Sequence, residues 1–103
     1  MSNAAENREG KTLTVTRAAK RHKVFVPSKM LLHSGEERVH ILDISQAGAR
    51  TFGSFTAKVG DLVELTVGDE QVTARVRWVK DRTFGLEFDP EMDQAAIDQL
   101  LKR

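Results

Sequence analysis

The sequence predicts an all-β fold, a small antiparallel six-stranded β-barrel with a C-terminal α-helix. About six short runs rich in β-branched and aromatic residues alternate apolar with polar positions, and turn residues separate these runs. Near the C-terminus the hydrophobic period changes from two residues to about 3.6. A chain of 103 residues is long enough for one core, and a closed barrel is favoured because closure leaves no exposed strand edge.

The first predicted strand runs over residues 24–32, where Pro27 indicates an edge position or a bulge because proline has no backbone N–H to donate. The turn residues Ser34 and Gly35 separate it from a second strand over residues 38–44. A short third strand follows over residues 49–52.

The remaining strands are predicted to form hairpins. Residues 62–67 and 71–80 flank the sequence Gly68-Asp69-Glu70, which is typical of a tight antiparallel turn. In the second of these strands the alternation of side chains places Trp78 on the same face as Val72, Ala74 and Val76. Trp78 could stack on a base, but this shared face favours packing in the core or at a barrel end. After a turn at Asp81 and Arg82, the last strand has Phe84, Leu86 and Phe88 on one face. Phe55, in the connection over residues 53–60, is expected to close an end of the core.

The terminal helix is predicted over residues 90–103, with Asp89 as its cap and Pro90 at its first position. Its apolar residues fall on one face, which is expected to cover one side or mouth of the barrel: Met92, Ala96, Ile97, Leu100 and Leu101.

The resulting domain organisation is a disordered tail over residues 1–10 followed by one domain over residues 11–103. Within that domain, residues 11–22 form a basic arm and residues 23–89 form the barrel. The arm is predicted because Glu9 is the only acidic residue among many basic ones in residues 8–23, a charge asymmetry that suits an anionic ligand.

Several function classes are disfavoured by composition. The chain has no cysteine, so a disulfide framework and a thiolate metal site are excluded. No apolar run approaches the roughly 20 residues that span a bilayer, and the first ten residues lack the apolar stretch of a signal peptide. We therefore expect a cytoplasmic protein without a membrane partner. The three histidines show no metal-site spacing, and no nucleophile motif or phosphate-binding loop occurs, so we expect no bound metal, no cofactor and no catalysis.

Two short motifs carry the functional prediction. Arg17 and Arg21 are four residues apart in the basic arm, and Asp43, Ser45 and Gly48 interrupt the second strand region. A carboxylate can accept the N1 and N2 hydrogens of guanine, while an arginine can bind the O6 and N7 edge or a phosphate. Strand alternation places the side chains of Asp43 and Ser45 on one face, and Gly48 leaves room for a turn or for a ligand. The motifs predict a site for an anionic, guanine-bearing ligand, although the second motif alone is also typical of a simple turn.

The order and spacing of these motifs resemble the signature of the PilZ domain family. The likeness extends over about residues 15–90 and includes Arg21-His-Lys-Val24, the block from Asp43 to Arg50, Arg77-Trp-Val79 and Phe84-Gly-Leu-Glu-Phe88. The resemblance implies a barrel with a C-terminal helix and binding of the bacterial second messenger cyclic di-GMP. It also implies that Arg17 and Arg21 bind the guanines and phosphates, that Asp43 and Ser45 contact a guanine, and that Gly48 leaves room at the strand bend. An unidentified downstream protein would receive the signal.

The sequence is also compatible with two other functions. A small barrel with a basic arm could bind single-stranded nucleic acid, but the sequence has one tryptophan, no tyrosine and phenylalanines mostly on core faces, which disfavours stacking of bases. A PilZ-like adaptor could act through protein contacts alone, which the presence of both motifs disfavours.

Overall fold

The computed structural model describes residues 20–102, which form six β-strands and one α-helix. The elements are β1 (His22–Leu32), β2 (Gly35–Ile44), β3 (Gly48–Phe52), β4 (Leu62–Val67), β5 (Glu70–Lys80), β6 (Thr83–Phe88) and α1 (Gln94–Leu101). All six strand pairings are antiparallel, and the strands close into a barrel in the order β1-β2-β3-β6-β5-β4. The predicted fold class is confirmed.

The barrel closes through a short seam between β1 and β4. Only Met30 and Leu31 of β1 pair with β4, opposite Leu65 and Glu64. Pro27 lies on the part of β1 that pairs with β2 alone, and the register between those two strands shifts between Lys23 and Val26. The proline therefore occupies the edge position that its missing N–H predicts.

Strand alternation fills the barrel interior with aliphatic side chains, as expected when one sheet face is buried. Fully buried residues come from every side of the barrel and include Met30, Ile41, Leu65 and Val76. Phe55 stacks on Phe84 with a centroid distance of 5.0 Å, so the connection between β3 and β4 covers part of the core as predicted.

Two phenylalanines lie on the outer surface. Phe25 of β1 is 70% exposed and stacks on His40 of β2 with ring centroids 4.5 Å apart. Phe52 pairs with His40 across β2 and β3 and is also exposed. Phe55, Phe84 and Phe88 belong to the core or pack against it.

The C-terminal helix begins four residues later than predicted. Asp93, not Asp89, is its N-cap residue, and it ends at Leu101. Before the helix, the backbone N–H of Asp89 binds the Thr73 carbonyl at 3.1 Å and that of Met92 binds the Gln46 carbonyl at 2.8 Å. These bonds tie residues 89–92 to the barrel in a non-helical conformation, so the predicted cap at Asp89 is wrong.

The helix covers one end of the barrel. Ile97 and Leu100 are buried in the same core cluster as the strand residues, which agrees with the predicted covering role. Within residues 20–102, no helix is both long enough and apolar enough to cross a membrane.

Candidate functional site

The cleft on the outer surface of β2, β3, β6 and β5 contains most of the predicted site residues. It has a volume of about 530 Å³, within the range typical of small-molecule sites. Arg21, Asp43 and Gly48 from the predicted motifs line it. Arg17 lies outside the described residues, as does most of the predicted arm over residues 11–22.

Asp43 faces the cleft because β2 contains a β-bulge. Ile41 pairs with Thr51 but Asp43 pairs with Arg50, so β2 has one extra residue, Leu42, at this point. In a regular strand Asp43 would follow Ile41 into the core, because side chains two residues apart share a face. The extra residue reverses the alternation and directs the carboxylate outward.

The carboxylate of Asp43 holds two arginines. Nη1 of Arg21 donates to Oδ1 at 2.5 Å, and Nε of Arg50 donates to Oδ2 at 3.0 Å. The Asp43 side chain is only 12% exposed, whereas the side chains of Arg21 and Arg50 are 57% and 43% exposed. A nearly covered carboxylate thus positions two accessible guanidiniums, and the three groups together carry one net positive charge.

A second bulge brings Trp78 into the same cleft. Val76 pairs with Leu86 and Trp78 pairs with Gly85, so Arg77 is the extra residue on β5. Trp78 is 43% exposed and lines the cleft. The prediction that it packs in the core or at a barrel end is wrong, because the bulge turns it away from the face of Val76.

Gly85 provides the space for the indole. A Cβ atom on Gly85 would lie 2.0 Å from Nε1 of Trp78, so only glycine lets the ring lie against this strand. Gly85 pairs with Arg50 on one side and Trp78 on the other. The cross-strand row Asp43, Arg50, Gly85 and Trp78 therefore forms the floor of the cleft. The alternation of β5 does not indicate that Trp78 faces the cleft. Gly85 is a signal in the sequence, because a glycine inside an alternating strand marks a close approach.

The prediction that Ser45 lies beside Asp43 on one face of a strand is wrong. β2 ends at Ile44, and Ser45 is in the following turn, where it is 1% exposed. Its Oγ accepts the backbone N–H groups of Ala47 at 3.2 Å and of Gly48 at 3.3 Å. The side chain therefore stabilises the turn, and it is Ala47 and Gly48 from this turn that line the cleft.

Gly48 is required by the neighbouring strand. A Cβ atom there would lie 2.1 Å from the carbonyl oxygen of Leu86, so any side chain would push β3 away from β6. The close approach predicted at this glycine therefore exists, but its partner is the backbone of β6.

Arg77 on β5 and Glu87 on β6 form one wall of the cleft. Nε of Arg77 lies 2.8 Å from Oε1 of Glu87, and both side chains are more than half exposed. The cleft therefore contains three arginines and two carboxylates, a mixture that can bind anionic groups and hydrogen-bond donors side by side.

Solved structures share this architecture. The chain is similar to the inhibitor of motility MotI/DgrA from Bacillus subtilis, with a TM-score of 0.65 and 17% identity, covering 86% of this chain and 51% of that one. It is also similar to the PilZ domain of CeSA from a cellulose-synthesizing bacterium, with a TM-score of 0.61 and 16% identity, covering 82% of this chain and 97% of that one. The chain thus spans about half the length of the motility inhibitor.

At the level of sequence, no curated protein matches the chain. The sequence profile of the PilZ domain matches residues 16–103, which is most of the chain and includes every residue of the barrel and the helix. Both the sequence profile and the fold therefore lead to the same assignment, and the chain belongs to the PilZ domain family.

Proposed function

We propose that this PilZ domain binds cyclic di-GMP in the cleft and relays its occupancy to a partner protein, without catalysing a reaction. The observation that carries the proposal is the pairing of Arg21 and Arg50 with one carboxylate, next to the exposed indole of Trp78. Cyclic di-GMP has two phosphates and two guanines. Guanidiniums bind phosphates and the O6/N7 edge of guanine, while an indole stacks on a base.

In this arrangement Asp43 acts mainly by positioning the arginines. Its two oxygens each accept one arginine N–H, and a carboxylate has about four lone-pair sites in total, so it can still accept from guanine. Arg21 presents its accessible guanidinium to the ligand, and Arg17 joins it from the preceding arm. Ser45 contributes by holding the turn that presents Gly48.

Ligand binding by the arm, residues 11–22, can signal occupancy to the partner protein. Arg21 immediately precedes β1, so a ligand held by Arg17 and Arg21 is expected to slow amide exchange across residues 8–22 and to create a new surface for the partner. Hydrogen exchange of these residues with and without cyclic di-GMP measures this effect. Equal exchange in both states would contradict the relay but not the binding.

Calorimetric titration with cyclic di-GMP tests the binding itself. We expect a dissociation constant in the micromolar range or below, and a loss of about tenfold or more in Arg21→Ala, because charge-assisted hydrogen bonds are among the stronger polar contacts. Arg38→Ala is the matched control, since Arg38 is an exposed arginine on β2 outside the cleft.

A linear guanine dinucleotide and a single-stranded oligonucleotide complete the experiment. The linear ligand is expected to bind more weakly, because more of its freedom is lost on binding. Absence of heat with cyclic di-GMP, together with binding of the oligonucleotide, would favour a nucleic-acid-binding function instead.

A further inference from the structure

The ion pair between Arg77 and Glu87 has no role in the binding scheme above, although both side chains line the cleft. Nε and Oε1 are 2.8 Å apart, and the side chains are 58% and 54% exposed. An ion pair this exposed contributes little stability, because water and salt screen it. This ion pair can therefore be broken at a small cost in free energy when a phosphate enters the cleft.

Arg77 lies on the outer face of β5, as alternation with the buried Val76 predicts. The bulge places the indole of Trp78 next to it at the cleft. Arg75, two residues earlier on the same strand, instead donates to the carbonyl of Gly60 at 2.8 Å, outside the cleft. The two arginines differ in surroundings although they belong to the same strand.

Glu87 is the only carboxylate that faces Arg77 across this wall among the residues described by the structure. It lies on β6 opposite Gly48, at the end of the cleft nearest the turn that Ser45 stabilises. A phosphate bound in the cleft would be attracted by the guanidinium, for which the Glu87 carboxylate is its competitor. Because guanidinium binds phosphate in a bidentate manner, the ligand can replace Glu87 as the partner of Arg77.

We propose that Arg77 is a further phosphate-binding arginine and that Glu87 competes with the ligand for it, so that this pair sets the affinity of the cleft. The inference rests on the proposed binding of cyclic di-GMP and deepens it. In the free protein Glu87 neutralises Arg77. In the complex a phosphate binds the guanidinium of Arg77, and the carboxylate of Glu87 turns toward solvent.

A double-mutant cycle measured by calorimetry with cyclic di-GMP tests the exchange. Glu87→Gln is expected to tighten binding by about twofold to fivefold, the factor that corresponds to one exposed ion pair. Arg77→Ala is expected to weaken binding by about tenfold. When Arg77 is already alanine, Glu87→Gln is expected to change the affinity less than twofold, because no guanidinium remains to be released.

The matched control is Glu36→Gln. Glu36 forms an ion pair with Lys29 in which both side chains are 59% exposed, away from the cleft. This variant changes the net charge by the same amount as Glu87→Gln, and we expect unaltered affinity. Thermal unfolding of each variant checks that the barrel is intact.

The outcomes separate the two proposals. Binding by the unaltered protein with no gain in Glu87→Gln, or with an equal gain whether or not Arg77 is present, would overturn the exchange and leave the binding function standing. No binding of cyclic di-GMP by the unaltered protein would overturn both. A gain that depends on Arg77 supports the proposal.

Discussion

Asp43 is the residue on which the geometry of the cleft depends. Its carboxylate joins Arg21, which precedes β1, to Arg50 on β3, and its side chain is only 12% exposed. Exposed ion pairs are individually weak, but one carboxylate shared by two guanidiniums restricts both of them. The network therefore presents positive charge in a defined direction, which favours binding by reducing the ordering that a ligand must impose.

Ser45 has a different role from its neighbour in the motif, and a substitution separates the two. Ser45→Ala removes the acceptor of two backbone N–H groups, one of them buried and the other partly buried. We expect the free energy of unfolding in urea to fall by about 1–2 kcal/mol, the usual cost of leaving buried donors unsatisfied.

Ser34→Ala is the control for this prediction, because Ser34 is an exposed turn residue between β1 and β2. Unchanged stability of Ser45→Ala combined with a large loss of affinity for cyclic di-GMP would instead identify Ser45 as a direct ligand contact.

At the scale of the strands, two bulges build the site. Leu42 on β2 and Arg77 on β5 are each one residue in excess of their partner strand. Each reverses the alternation that follows it, so that Asp43 and Trp78 face outward. Between them, β3 and β6 place Arg50 and Gly85 side by side. The cleft is thus a region of regular sheet bounded by two irregularities.

Gly85→Ala tests whether the strands hold the indole in a functional position. The added methyl group would lie 2.0 Å from Nε1 of Trp78, so the ring must move. We expect the affinity for cyclic di-GMP to fall by about tenfold, comparable to the loss of one base-stacking contact. Trp78 is the only tryptophan, so its fluorescence reports directly on the cleft.

Trp78→Ala provides the comparison for that experiment. If the glycine acts through the indole, the double variant binds no more weakly than Trp78→Ala alone. Additive losses would show that Gly85 affects binding by another route.

At the scale of the whole molecule, charge is nearly balanced. The formal net charge is +1, with 16 basic and 15 acidic residues, so long-range attraction of anions is weak. Arginines are instead grouped locally, three of them beside two carboxylates in the cleft, and basic residues predominate in the sequence just before β1. This distribution suits a small anion with few charges better than a polyanion.

The salt dependence of binding follows from this distribution. Between 50 and 200 mM salt we expect the affinity for cyclic di-GMP to fall by about tenfold or less, because only two phosphate charges are neutralised. Proteins that contact many phosphates of a nucleic acid lose about 10³–10⁵ in the same interval. Titrations at several salt concentrations measure the slope, and a steep one would favour a nucleic-acid ligand.

Much of the fold could be predicted from the sequence because it depends on local patterns. Six alternating runs, the glycine turn at Gly68 with φ of 61°, and the edge proline Pro27 all have the structure that their physical chemistry predicts. The predicted helix start at Pro90 is wrong, because Asp89 and Pro90 satisfy the local rules for a cap while Met92 bonds to the distant Gln46. At residues 89–92 the tertiary contact with Gln46 therefore outweighs the local preference for a helix.

The strand pattern, the barrel, the terminal helix and the two motifs that resemble the PilZ family follow from the order of the residues alone. Which side chains face the cleft depends on how the strands pair in the folded protein. Alternation assigns a strand residue to one face only as long as the pairing is regular, and a bulge depends on the partner strand. That is why Asp43 and Trp78 lie outside the core in which their spacing from Ile41 and Val76 would place them, and why the Arg77–Glu87 pair became visible only in the folded protein.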